Sequence, residues 1–223
     1  MGDLNQLDFV RRNASQLHGP YLEVGSKDYG DTQDLRSLFA AQESYVGVDL
    51  EQGPGVDVVL DLTDPLETID ERLGQVRFGT IFCLSVLEHC EQPFRMADNL
   101  TRLLKPGGVV CVSAPFAWEY HSYPSDYWRF THHGIQRLFA GLDFDLEQGV
   151  SATCRTGEFA PLNPDLGMRS FGSKWNRRRG RYLRAISAKL LALLAKVGIL
   201  RWVAGYPYVL VPTNIMLIGR KRR

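Results

Sequence analysis

The chain has 223 residues, 44% of them hydrophobic and 23% charged, with a formal net charge of +1. These values are ordinary for a soluble globular protein, exclude a chain too short or too polar to bury a core, and are expected of one domain over 1–223. The near-zero net charge hides an asymmetry: residues 1–165 carry 12 Lys and Arg against all 25 Asp and Glu, whereas residues 166–223 carry the other 14 Lys and Arg and no acid. Either an acidic body bears a basic attachment surface, or the basic part packs on the acidic part and neutralises it. Cys83, Cys90, Cys111 and Cys154 show no metal spacing. Cys83 and Cys111 fall in predicted central strands, so they read as small buried hydrophobes in a reducing compartment, here the cytoplasm.

In chain order, Leu4, Leu7, Val10, Ala14 and Leu17 have the spacing of one helix face, and Asp3, Asp8, Arg11 and Arg12 interrupt any run apolar enough for a secretion signal. A strand is predicted over 21–24. Asp34 is placed to cap a helix over 35–41, because a carboxylate there accepts from orphan helix N–H groups. Strands follow over 45–48 and 56–60, then a helix over 66–73, a strand over 79–84 and a helix over 93–104. Lys105-Pro106-Gly107-Gly108 ends that helix and leads into a strand over 109–114. Thr131 caps a helix over 132–140. Residues 144–150 read as a sixth strand and 213–219 as the last. Strand-length apolar runs alternating with helical patterns argue for a parallel sheet with crossover helices. Ligands of such sheets sit beyond the carboxyl ends of the strands.

Those ends carry chemistry. Gly25 allows the backbone to approach a ligand at a helix-facing loop. Asp49 follows it by 24 residues, close to the spacing of an acidic ribose clamp. Asp61 and Asp64 are either binding groups or turn residues. A helix cap is the alternative for Asp49, and a structural histidine the alternative for His89.

The ordered set Glu23-Val24-Gly25-Ser26, Val48-Asp49, Leu60-Asp61, Leu84–His89 and Leu103–Gly108 resembles the class I S-adenosylmethionine-dependent methyltransferases, in particular their small-molecule branch. The resemblance covers about residues 20–150 and the last strand. It implies an α/β, Rossmann-like, seven-stranded, mostly parallel sheet with helices on both faces and an antiparallel last strand at the sheet edge. The implied cofactor is S-adenosyl-L-methionine, held by Glu23, Gly25, Ser26, Asp49, Leu50, Asp61, Leu62, Leu84, Ser85 and His89. Glu23 would meet the ammonium group, Asp49 the ribose hydroxyls, and Asp61 with the Leu62 N–H the adenine. Ser85 and the Leu84 backbone would meet the methionine part. One departure stands out. Lys27 and Tyr29 occupy positions of the first loop where the family has glycines, which leaves Gly30 to supply the turn.

Residues 116–130 hold seven aromatics in 15 positions, interleaved with Glu119, His121, Asp126 and Arg129. The pattern Phe-x(4)-His-x(2)-Pro-x-Asp-Tyr-Trp-Arg-Phe-Thr is similar to that of methyltransferases found among glycan and secondary-metabolite genes. Three residues are the catalytic candidates: His121 as proton acceptor, Asp126 to orient it or bind a sugar hydroxyl, and Arg129 to bind a carboxylate or phosphate. The competing reading is a structural loop in which Asp126 and Arg129 pair and Trp128 fills the core. No metal is expected.

The insertion over 153–211 is basic and partly helical. Arg177-Arg178-Arg179-Gly180-Arg181 precedes a helix over 182–203, with Ile186, Leu190, Leu193, Leu194, Val197 and Leu200 as an apolar stripe. Lys189, Lys196 and Arg201 make it a poor transmembrane span. With Trp202, Tyr206 and Tyr208 it resembles an interfacial membrane helix. Covering the sheet, forming a homodimer face and holding nucleic acid are the alternatives, the last disfavoured because no nucleic-acid-binding module accompanies it. The resulting expectation is a methyltransferase acting on a hydroxyl of a saccharide, lipid-linked saccharides included, or of another small metabolite. It would work in the cytoplasm against an anionic membrane surface reached through 177–203. The competing functions are an RNA or protein methyltransferase using the basic tail, and a non-catalytic scaffold with the same fold.

Overall fold

A computed structural model of the chain describes residues 3–30, 34–39, 44–122, 124–198, 206 and 208–223. Helix α1 (Leu4–Arg12) opens on a reciprocal cap: the Asp3 carboxylate accepts from the Gln6 N–H, and the Gln6 side chain accepts from the Asp3 N–H. Leu7 and Val10 are buried as their spacing predicts, whereas Leu4 is exposed; the helix ends before Ala14, which is exposed, and Leu17 is buried beyond it.

The main sheet contains β1 (Tyr21–Val24), β2 (Tyr45–Asp49), β3 (Val58–Val59), β4 (Phe78–Leu84), β5 (Leu104–Ala117), β6 (Leu142–Phe144), β7 (Val150–Ala152) and β8 (Phe159–Pro161). A small second sheet pairs β9 (Met168–Ser170) antiparallel with β10 (Tyr208–Leu210), and β11 (Thr213–Lys221) returns to the main sheet. The order is β3-β2-β1-β4-β5-β11-β7-β8, with β6 also paired to β11. The first five strands are mutually parallel, and β11 runs antiparallel to β5.

Two details differ from the sequence expectation. The sheet has nine strands rather than seven, because the predicted sixth strand is split into β6 and β7 around a turn, and the insertion adds β8. The last strand is antiparallel as expected but lies inside the sheet, flanked by β5 on one side and β6 and β7 on the other. Its run from Thr213 to Leu217 is buried throughout, which fits a strand paired on both sides.

Side-chain alternation assigns the two faces. Leu22, Val24, Ile81, Cys83, Val110, Val112, Ile215 and Leu217 point to one side. There α2 (Leu66–Arg72), α3 (Pro93–Leu103) and α4 (His132–Leu138) supply Ile69, Leu100 and Ile135. Tyr21, Phe82, Leu84, Val109 and Cys111 point to the other side, against Leu7 and Val10 of α1 and Leu35 and Phe39. Tyr21, Phe39, Tyr45 and Phe82 form an aromatic cluster at that face, with ring centroids 4.9–6.3 Å apart.

Asp34 caps as predicted, accepting from the Ser37 N–H at 3.0 Å, but the element it opens is a single 3-10 turn, Arg36–Leu38. The rest of that predicted helix, from residue 40, lies outside the described residues. Thr131 caps α4 through the Gly134 N–H at 3.0 Å.

The insertion adds α5 (Ser173–Arg178) and α6 (Tyr182–Lys196), which pack on each other. The last acidic residue of the chain, Asp165, is buried at the base of this unit and pairs with Arg179 and, at 2.7 Å, with Arg181. The basic tail is thus partly neutralised by the body. Asp165→Asn is expected to lower stability by about 1.5–3 kcal/mol, the range for hydrogen bonds to charged groups. Trypsin cleavage within 177–181 should accelerate in the same variant. Unchanged cleavage would show that Asp165 does not hold the insertion in place.

Candidate active site

The parallel strands deliver their carboxyl ends to one edge, and a cavity of about 290 Å³ lies there. Val24 and Gly25 at the end of β1, Val48, Asp49 and Leu50 at the end of β2, and Leu60, Asp61, Leu62 and Thr63 after β3 form one wall. His89, Cys90 and Gln92, which follow β4, and Met96 of α3 form another; Pro124, Ser125 and Tyr127 of the aromatic loop close it.

Gly25 has φ +70°, a conformation that glycine adopts at no steric cost. Its N–H, and that of Ser26, donate to the Val48 carbonyl, which ties the first loop to β2. The Asp49 carboxylate accepts from the Lys27 N–H and the Glu51 N–H, each at 3.2 Å. A carboxylate has about four acceptor positions, so two remain for a diol facing the cavity. Asp61 accepts from the Thr63 N–H at 2.8 Å and its hydroxyl at 2.7 Å, both on Oδ1. Apolar walls from leucines and Met96, together with two acceptor carboxylates, suit a nucleoside, with its flat apolar base beside ribose hydroxyls.

The structure therefore brings Gly25, Asp49, Leu50, Asp61, Leu62 and His89 together. It does not place Glu23, Ser26, Leu84 or Ser85 on the cavity lining. Glu23 is buried beneath the first loop and accepts from the Tyr45 hydroxyl at 2.8 Å. Burial raises its carboxyl above the usual range. Ser26 is buried, and Leu84 belongs to the core on the α1 face. Ser85, with φ +53°, turns its hydroxyl toward Gln6, whose amide donates to it at 2.6 Å and to Ser113 at 2.8 Å.

Tyr29 lines the cavity, and it was missed as a site residue because the family has glycine at its position. Lys27, the other departure, pairs with Glu51 at 2.6 Å and lies 5.1 Å over the Tyr29 ring. The two side chains thus brace the loop across to the segment after β2. Gly30 has φ +92°, and its N–H donates to Asp28 at 2.7 Å, so it supplies the turn as expected.

The aromatic loop is pinned at several points. The Tyr127 and Trp128 N–H groups donate to the Glu88 carbonyl, the Trp128 indole donates to the Cys90 carbonyl at 2.8 Å, and the Phe130 N–H donates to the Pro115 carbonyl. The Asp126 side chain is 1% exposed. It accepts a forked pair from Arg129 at 2.5 and 2.8 Å and the His121 N–H at 2.9 Å. Arg129 also donates to the Glu119 carbonyl at 2.9 Å. The Arg129 guanidinium, with the His121 N–H, outweighs burial, which acts the other way, and holds the Asp126 carboxyl well below the usual carboxylate range. These two catalytic candidates act as a clasp across the loop, as the structural reading had it, and neither lines the cavity. Tyr123 lies outside the described residues, and Trp128 is only partly covered.

His121 does not line the cavity either, but it stands edge-on to His89, which does, with ring centroids 5.0 Å apart. His89 Nδ1 faces the Ser125 carbonyl at 2.6 Å and His121 Nδ1 the Glu119 carbonyl at 3.0 Å, which assigns the Nδ1 proton in both rings. Burial lowers the His89 pKa. Glu88 completes the cluster: one ligating atom from each of the three residues lies within 4.8 Å of the others.

Burial pushes the Glu88 carboxyl up to about 8. It therefore stays protonated in the folded protein at neutral pH, whereas the unfolded chain releases that proton near its ordinary value of 4.5. The unfolded state binds fewer protons between those values, so Glu88 costs stability progressively as pH rises from about 4.5 to about 8. Glu88→Gln should gain in Tm relative to the parent as pH rises, with a larger difference near pH 8 than near pH 5. Equal differences at both would mean that Glu88 is ionised throughout.

Fold and cavity together define a Rossmann-like methyltransferase fold. Residues 22–112 match the family model described as a methyltransferase domain, and no curated protein sequence matches the chain. Solved structures with the same fold include a SAM dependent methyltransferase from Archaeoglobus fulgidus, with 14% identity, 96% of this chain and 92% of that chain covered, and a TM-score of 0.55. Another is the 1,6-didemethyltoxoflavin-N1-methyltransferase of Burkholderia thailandensis with bound S-adenosylhomocysteine, at 12% identity, 98% and 77% coverage and a TM-score of 0.53. A third is an N-methyltransferase from Bradyrhizobium japonicum WM9 in complex with S-adenosyl-l-homocysteine, at 10% identity, 98% and 86% coverage and a TM-score of 0.53. At these identities the likeness is one of fold.

Proposed function

We propose that the protein is an S-adenosyl-L-methionine-dependent methyltransferase that methylates a hydroxyl of a saccharide or another small metabolite. The observation that carries this reading is the cavity at the carboxyl ends of β1–β4, where Gly25, Asp49 and Asp61 converge. The match of 22–112 to a methyltransferase domain supports it, as do the bound cofactor products named in two structures of the same fold.

Asp49 holds the ribose hydroxyls on the carboxylate positions that the loop N–H groups leave. Asp61 and the Leu62 N–H read the base, and Leu50, Leu62 and Met96 enclose it. Tyr29 covers the opening of the first loop. S-adenosyl-L-methionine supplies, when bound, a methyl group activated on a sulfonium centre. The protein must then align the acceptor and remove its proton. His121 takes that proton: its Nδ1 is occupied by the Glu119 carbonyl with Asp126 Oδ2 3.4 Å away, so Nε2 is the basic nitrogen. Asp126 and Arg129 position the ring through the loop they clasp and do not touch the acceptor. Three aromatics beside it, Tyr120, Tyr127 and Trp128, are 76%, 50% and 41% exposed and offer stacking faces of the kind a sugar ring uses.

Asp49→Ala is expected to weaken S-adenosyl-L-methionine binding about 10- to 150-fold, the equivalent of about 1.5–3 kcal/mol. Titration calorimetry reads this, and unchanged affinity in a folded variant would remove Asp49 from the site. Gly25→Val should bind still more weakly, since a branched residue strains φ +70° and intrudes on the ligand. His121→Ala should lower turnover on the true acceptor by about 10²-fold or more while cofactor affinity stays nearly constant. Wild-type turnover in that variant would make His121 structural.

A further inference from the structure

The insertion helix presents its two faces in an unexpected order. Ala185, Ala188 and Ala195 of α6 are buried, so the small-residue side packs on the protein. The large apolar residues face out: Tyr182, Leu183, Ile186, Leu190, Leu193 and Val197 are all 57–84% exposed. At about 3.6 residues per turn these six fall within an arc of about 100°, the width of a stripe that is normally buried. Lys189 and Lys196 border the arc on one side, and both are exposed. Among the described residues no ion pair engages Arg177, Arg178, Arg184, Lys189 or Lys196, in contrast to Arg179 and Arg181. Nor is any helix long and apolar enough among these residues to cross a membrane.

We infer that this face of α6 lies in the interface of an anionic bilayer, with the apolar arc among the acyl chains and the lysines at the headgroups. Charge decides the occupant. The segment after Asp165 has 14 basic residues and no acid, so a second copy docking on the same face would bring Lys189 and Lys196 near their own counterparts with no carboxylate of the helix to offset them. An anionic lipid surface satisfies both features, because each basic residue near it gains attraction while the apolar arc gains burial. The assignment does not depend on the identity of the methyl acceptor.

The experiment is flotation of the full chain with vesicles of phosphatidylcholine alone and of phosphatidylcholine mixed with phosphatidylglycerol, at low and high salt. The chain should float with the mixed vesicles at low salt and only weakly with the neutral ones. High salt should weaken this binding without abolishing it, since the apolar contribution is not screened. Lys189→Ala combined with Lys196→Ala should weaken binding about 30-fold. Leu190→Asp should abolish it, with an unchanged melting temperature because the side chain is exposed. Failure to float with mixed vesicles at low salt would overturn the inference. So would a dimer of the parent chain that the Leu190→Asp variant converts to monomer, which would assign the face to a second copy. Flotation unchanged in the Leu190→Asp variant would also overturn it.

Discussion

Parallel pairing of β1 with both β2 and β4 is the constraint on which the site depends. The register sets Val24 opposite Val48 and Cys83, so the turns after all three strands leave the sheet at one level. Val48 pairs in turn with Val58, which brings the end of β3 to the same edge. None of Gly25, Asp49, Asp61 and His89 is near another in sequence; the register alone makes them neighbours. A slip of one residue in β2 would exchange its inward and outward side chains and move the Asp49 carboxylate to the opposite face. Packing on both faces of β2 makes that slip costly, because Tyr45 on one side and Val46 and Val48 on the other would change places. The core is therefore what holds the two cavity carboxylates in position.

That dependence explains which parts were legible in the sequence. Strand ends with a glycine or an acid are local signals, and the central strands and most helices fall where periodicity places them. Asp49, Asp61 and His89 reach the cavity because their positions follow directly from those ends. Glu23 and Ser85 do not follow. In a strand, neighbours alternate faces, so the residue before Val24 points away from the ligand edge toward Tyr45. Ser85 occupies a left-handed turn whose direction is set by Gln6, 79 residues away. No short-range pattern could reveal either. Tyr29 illustrates the reverse: matching the loop to glycines marked it as a departure, while its side chain forms part of the wall.

The aromatic loop combines two roles that its composition could not separate. A buried carboxylate is costly unless paired and hydrogen-bonded. Asp126 receives both from one forked guanidinium and one backbone N–H, so three hydrogen bonds tie Arg129 and His121 to a single carboxylate. Removing one partner would leave part of the buried carboxylate unsatisfied, which is why the clasp is structural even though it stands beside the cavity. The loop in turn sets His121 against His89 and lays Tyr127 over the cavity. Residues that hold the loop and residues that face the cavity thus alternate along a single segment: Ser125 and Tyr127 line the cavity, while the Asp126 side chain between them is buried.

The same separation of packing from function governs the insertion. A helix that served only to cover the sheet would turn its leucines inward and its alanines to solvent, since burying a leucine side chain gains about 1.5–3 kcal/mol relative to leaving it exposed. In α6 Ala185, Ala188 and Ala195 are buried, whereas Leu183, Leu190 and Leu193 are exposed. The helices α5 and α6 pack on each other, and Asp165 pairs with both Arg179 and Arg181, which precede α6. The leucines are then left outward at a free-energy cost that the folded chain alone does not recover. The anionic surface inferred above would recover that cost, and the lysines beside the arc match its charge.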